Sequence, residues 1–155
     1  MPQRLQSLQL LMQRERQLCD QAQAALQRAD EAARRAAAQR EQLLAYRGEY
    51  EARWSAQFRS GSTVQIMLHY RSFTQRLDQA VQMQTRQADT AQRQLAQARQ
   101  ALLDGERRVA SVRKLIERRG AELARLSRQR EQKLSDEHAQ RMRWRHTQRD
   151  PLLPQ

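Results

Sequence analysis

The chain has 155 residues, a length that suits one domain, and its 29 Lys and Arg against 17 Asp and Glu leave a formal net charge of +12. Gln (26), Ala (22) and Leu (19) dominate while Val (4), Ile (2) and aromatic residues are scarce, which excludes all-β and α/β folds. So few large apolar side chains also exclude a thick globular core.

Pro2 stands near the start, and no further proline occurs before Pro151 and Pro154, so nothing interrupts long helices. A first helix is predicted from about residue 4 to 58. Its heptad places Leu8, Glu15, Ala22, Ala29, Ala36, Leu43 and Tyr50 at position a. Position d then holds Leu11, Leu18, Ala25, Ala32, Gln39, Tyr46 and Arg53. The neighbouring stripe adds Met12, Cys19, Leu26, Ala33 and Trp54.

A break follows at about 59–63, where Ser60-Gly61-Ser62-Thr63 is the small, polar cluster in mid-chain. Gly61 can take the left-handed conformation that ends a helix, and Ser62 or Thr63 can cap the next one. The second helix is predicted from about 64 to 148, with a tail over 149–155. Its a positions run Met67, Thr74, Val81, Ala88, Leu95, Leu102, Val109, Ile116 and Leu123. Its d positions run Tyr70, Leu77, Gln84, Ala91, Ala98, Gly105, Val112, Arg119 and Leu126.

If residue i faces residue 120 − i, every a meets a d across an antiparallel pair, for example Tyr50 with Tyr70 and Leu18 with Leu102. The predicted fold is therefore all-α: one coiled-coil domain over residues 1–155, a two-helix antiparallel hairpin whose C-terminal helix overhangs. The Ala-rich stretch 22–38 buries little area per layer and is expected to open most easily. Residues beyond about 118 have no partner in this register. That overhang carries ten Arg or Lys against four Asp or Glu between Arg118 and Arg149. Two readings of it stand: frayed when free and helical when docked, or the leading tip of the rod.

A two-helix rod offers no concave site for catalysis, and we expect no enzyme activity, no cofactor and no small-molecule ligand. His69, His138 and His146 are scattered and unaccompanied by cysteine, so no metal site is expected. Cys19 is a single thiol beside the seam, and no apolar run is long enough to span a bilayer, so the chain reads as intracellular, reduced and soluble. The positive charge predicts attraction to nucleic acid, anionic membrane or an acidic protein surface. The overhang interleaves its cations only with Trp144, so specific nucleic-acid binding is not expected. Six of the seven aromatic residues (Tyr46, Tyr50, Trp54, Phe58, Tyr70 and Phe73) gather near the break. They read either as an apolar plug that stabilises the hairpin or as a docking surface, with Phe73 partly exposed.

The segments Leu43-Leu44-Ala45-Tyr46-Arg47-Gly48-Glu49-Tyr50, Tyr70-Arg71-Ser72-Phe73-Thr74-Gln75-Arg76-Leu77-Asp78-Gln79-Ala80 and Gln132-Lys133-Leu134-Ser135-Asp136-Glu137-His138-Ala139-Gln140-Arg141 resemble the FliJ family in order and spacing. Members of that family are coiled-coil proteins of the flagellar type III export ATPase, similar to the gamma stalk of rotary ATPases. The resemblance implies a non-enzymatic stalk, monomeric when free. It would insert into the hexameric export ATPase, promote its assembly and link it to the large export-gate membrane protein and to export chaperones. It implies a cytoplasmic place at the flagellar basal body, peripheral to the inner membrane, and a part in motility. The equivalent stalk of a virulence type III secretion system is the alternative. A basic self-associating or nucleic-acid-binding coiled coil is the more distant one.

For export-gate binding the resemblance implies Gln39, Leu43, Tyr46, Tyr50, Phe73, Leu77, Ala80 and Gln84, the last replacing a histidine found in some relatives. The heptad phase above puts several of these in the seam, in conflict with a binding role. For the ATPase ring, the implied insertion and the basic overhang together nominate Arg118, Arg119, Arg125, Arg128, Arg130, Lys133 and Arg141.

Overall fold

The computed structural model describes residues 2–149, which form two helices, α1 (Pro2–Arg59) and α2 (Val64–Arg149), packed against each other, with no strand among the described residues. Both consist largely of strong helix formers, and the one proline they contain, Pro2, opens α1, where a missing N–H costs nothing.

The connection is short and closes its own hydrogen bonds. The Ser60 N–H donates to the Gln57 carbonyl at 3.1 Å and the Gly61 N–H to the Phe58 carbonyl at 3.4 Å, tightening the last turn of α1. Gly61 has φ 104°, a conformation that strains any residue carrying a Cβ. Thr63 caps α2: its Oγ1 accepts the Ile66 N–H at 3.3 Å, and its carbonyl accepts the Met67 N–H at 3.1 Å.

Packing divides the chain into two compact units. The first, Arg16–Arg107, holds the turn and both arms that flank it. Its core is the buried set Ala33, Leu77, Val81, Ala88 and Leu95, of which Ala33 is the most enclosed at 2% exposure. A methyl group there lets the two backbones approach, but each alanine layer removes less apolar area from water than a leucine layer.

The second unit, Met1–Glu15 with Arg108–Gln155, buries Met12 and Val112. Leu5, Leu8, Val109 and Ile116 are half-buried around them. Glu15 lies in this seam, and its Oε2 accepts from Arg108 Nε at 3.2 Å, so the carboxylate is held by a partner from the other helix. Leu123 is the last residue of α2 with partial cover; every residue from 124 to 149 is exposed, yet the helix continues through Arg149. Cover thus reaches several residues beyond the limit of about 118 expected from sequence.

The buried face of α2 follows the predicted stripe: Leu77, Val81, Ala88, Leu95, Gly105 and Val112 are all buried a or d positions. The face of α1 does not. Positions 8, 22, 29, 36, 43 and 50 are covered as expected, but the second covered stripe is Met12, Cys19, Leu26, Ala33, Arg40, Arg47 and Trp54. The predicted d residues Leu11, Leu18, Gln39, Tyr46 and Arg53 lie outside the seam and are exposed. Adjacent residues on a helix lie about 100° apart, so this difference of one residue turns α1 about its own axis.

The pairing across the helices shifts accordingly. Tyr50 stacks on Tyr70, and Gln84 Nε2 donates to the Ala36 carbonyl at 3.2 Å, both in the predicted register. Elsewhere the partner lies about a turn further along α2: Arg40 Nε donates to Thr85 Oγ1 at 3.1 Å and Arg47 pairs with Asp78 at 3.5 Å. The two arginines sit at seam positions with their side chains only partly covered, 41% and 34% exposed.

Candidate functional site

The eight residues nominated for gate binding all fall in the Arg16–Arg107 unit. Gln39, Leu43, Tyr46 and Tyr50 are spaced i, i+4, i+7 and i+11, and Phe73, Leu77, Ala80 and Gln84 repeat that spacing on α2. Each set is therefore one stripe of its helix. The hairpin brings the two stripes side by side. Gln84 Nε2 donates to Gln39 Oε1 at 3.1 Å, and Phe73 lies 6.4 Å from Tyr46 and 4.4 Å from Tyr50, centroid to centroid.

The turned phase of α1 brings two of the eight residues to the surface and leaves the other six half-buried or buried. Tyr46 is 46% exposed and Gln39 is exposed, whereas the expected phase buried both. Leu43, Tyr50, Phe73, Ala80 and Gln84 are half-buried, and Leu77 is a core residue. The face thus has an outer rim (Gln39 and Tyr46), an intermediate layer and one anchor beneath it.

The aromatic residues form one connected cluster. Tyr50 lies 5.7 Å from Tyr70 and 6.0 Å from Trp54; Trp54 lies 5.6 Å from Phe58, which meets Tyr70 edge-on at 5.1 Å. None of the six rings is fully buried. Tyr50, Trp54, Phe58, Tyr70 and Phe73 join the two arms, as the plug reading expects, and Tyr46 is exposed at the edge of the cluster.

The seven cations nominated for the ATPase ring all fall in the other unit. Arg118, Arg125, Arg128, Arg130, Lys133 and Arg141 are exposed. Arg119 is half-buried, with its Nη1 on Glu122 at 2.9 Å and its Nε buried without a partner. At about 100° per residue these positions form two groups: Arg119, Arg130, Lys133 and Arg141 fall within about 80° of one another, and Arg118, Arg125 and Arg128 within about 80° on another face. The cations therefore point in more than one direction from the helix.

No group of three or more metal-ligating side chains occurs among the described residues, and Cys19 is a half-buried free thiol. No helix of the described residues is long and apolar enough to cross a membrane.

These features define a class: an all-α protein of two long helices packed against each other in a coiled-coil hairpin. The family model described as "Flagellar FliJ protein" matches residues 3–148, and the chain belongs to the FliJ family. It is accordingly a component of flagellar type III protein export, and the family is non-catalytic. No curated protein and no solved structure matches the chain.

Proposed function

We propose that the protein is a stalk of the flagellar export machinery: it inserts into the hexameric export ATPase, promotes its assembly, and links it to the large export-gate membrane protein and to export chaperones. It works at the cytoplasmic face of the inner membrane, at the flagellar basal body, and enters the assembly as a monomer.

The observation that carries this reading is the α2 segment 124–149, helical and bare on all sides, with cations around its circumference. A helix of this kind has no packing partner within its own unit and gains one only where protein surrounds it. The lumen of a ring provides that geometry, because it contacts an inserted helix, about 10–12 Å in diameter, from every direction at once. Acidic groups on such a wall would be attracted to Arg125, Arg128, Arg130, Lys133 and Arg141. The face built on Tyr46 and Phe73 is the gate-binding surface in this scheme, and it belongs to a different unit from the ring-binding segment.

The test is a charge reversal in the full chain. Arg125→Glu, Arg128→Glu, Arg130→Glu and Lys133→Glu together should weaken binding to the export ATPase by about tenfold or more, and should abolish its stimulation. Gate binding by the same variant should be unaffected. Undiminished ATPase stimulation would refute the insertion. The complementary double variant Tyr46→Ala with Phe73→Ala should weaken gate binding by about tenfold while ATPase stimulation persists. An intact pull-down of the gate by that variant would remove the assigned face.

A further inference from the structure

The turn end of the Arg16–Arg107 unit carries apolar surface that the nominated gate face does not use. Val64, Leu68 and Met67 are 73%, 60% and 52% exposed on the first two turns of α2. With Phe58 and Tyr70 they line an open groove of about 500 Å³. Single exposed apolar residues are ordinary, but three within five positions beside a groove form a patch.

The charge along the chain through the turn has one sign. From Ala52 to Leu77 the sequence contains Arg53, Arg59, Arg71 and Arg76 and neither Asp nor Glu. That stretch is 26 residues long, and no other stretch of the chain free of carboxylates exceeds 14. All four arginines are exposed. The next acid along α2, Asp78, lies 3.5 Å from Arg47 and so is already engaged by a cation, and the next acids back along α1, Glu51 and Glu49, are exposed beside Arg53.

From this placement we infer that the hairpin tip is a membrane contact: Val64, Met67 and Leu68 enter the headgroup region of an anionic lipid surface while Arg59 and Arg71 hold the lipid phosphates around them, and Arg53 and Arg76, further along the two arms, add long-range attraction. The two halves of the patch act by different physics. Cations draw the tip to the surface, an effect that salt screens; the aliphatic side chains add burial that salt does not screen. Arginine stems reach along apolar surface and keep their charge at the phosphate level. Within the turn the N–H groups of Ser60, Gly61, Ile66 and Met67 are donated internally, and the hydrated headgroup layer can solvate the others. A lipid surface is uniformly anionic and deforms to fit, so it suits a convex tip of one charge sign without a matching pattern of acceptors. This inference involves residues outside the nominated gate and ring surfaces, and it stands or falls independently of the stalk reading.

The experiment uses the full chain on vesicles of phosphatidylcholine alone and of phosphatidylcholine with about a third phosphatidylglycerol, at about 0.15 M salt. An environment-sensitive fluorophore is attached in a Cys19→Ala background through Leu68→Cys or, as a control on the bare helix, Leu134→Cys. On anionic vesicles the label at 68 should shift to the blue and be quenched by lipid-borne nitroxide, and the label at 134 should do neither. The triple variant Val64→Ser, Met67→Ser and Leu68→Ser, with helix content checked by circular dichroism, should lose about tenfold or more in vesicle affinity. Neutral vesicles should bind far more weakly than anionic ones. The inference is overturned if the label at 68 stays in water on bound protein, or if the triple variant binds as tightly as the parent. Equal binding to both vesicle types, or no binding to anionic vesicles, overturns it as well. A label at 68 that stays wet on vesicles but turns blue on an acidic protein would assign the patch to that protein instead.

Discussion

The two tryptophans occupy helices of similar composition and have opposite surroundings. Trp54 is half-buried on α1, with ring centroids of Tyr50, Phe58 and Tyr70 all within 6.0 Å. Trp144 is 63% exposed on α2, beside Glu137, Gln140 and Arg141. The first region is held by side chains from the opposite helix; the second has only its own backbone hydrogen bonds and local contacts. Gln132 Nε2 on Asp136 at 3.3 Å is one of those contacts, and pairs of this kind stabilise a helix by only a few tenths of a kcal/mol. The same helical periodicity thus supports two different properties, rigidity near the turn and accessibility beyond residue 123.

The largest effect is expected where the aromatic rings interlock. Trp54→Ala should lower the unfolding free energy by about 2–3 kcal/mol in denaturant titration, because it removes a ring that contacts Tyr50, Phe58 and Tyr70 at once. A loss below about 1 kcal/mol would mean that the cluster does not hold the arms together. Gly61→Ala comes next. Its Cβ would meet nothing within 4 Å, so the cost is conformational, about 1 kcal/mol from the positive φ. An unchanged midpoint would show that the turn has another backbone conformation at equal free energy. The smallest effect belongs to Trp144→Ala, within about 0.5 kcal/mol, since no cross-helix contact is lost. A larger loss would reveal a partner for the bare segment. Hydrogen exchange sharpens the same contrast: amides over 124–149 should exchange fastest, those of the Ala-rich 22–38 stretch next, and those around Leu77 and Val81 slowest.

What was legible in the sequence depended on how many physical signals agreed. At the turn, Gly61 and Thr63 pointed to the same boundary from both sides, one ending a helix and one capping the next. Along α2 a single stripe carried the apolar residues, and it is the stripe the molecule buries. Along α1 two neighbouring stripes competed. Leu11, Leu18, Ala25, Ala32 and Tyr46 lie on one, and Met12, Cys19, Leu26, Ala33 and Trp54 on the other, so apolar content alone gave no preference. The choice rests on what α2 offers opposite. Arg40 and Arg47 are tolerated in the seam because Thr85 and Asp78 accept from them, and those acceptors are invisible to a periodicity argument confined to one helix. The candidate face inherited the same ambiguity, because whether Tyr46 is buried or exposed follows from the phase of α1.

By itself the sequence determined that the protein is helical, that it breaks once near Gly61, and that its C-terminal helix outlasts its partner. Composition, proline placement and chain length decide these, and each acts locally or by simple counting. Only the tertiary structure decided which stripe of α1 is buried, how far along α2 the cover extends, and that Gln39 and Tyr46 face solvent. Those outcomes depend on the fit between two surfaces, where a rotation of one residue exchanges core for exterior without changing the apolar count of either helix.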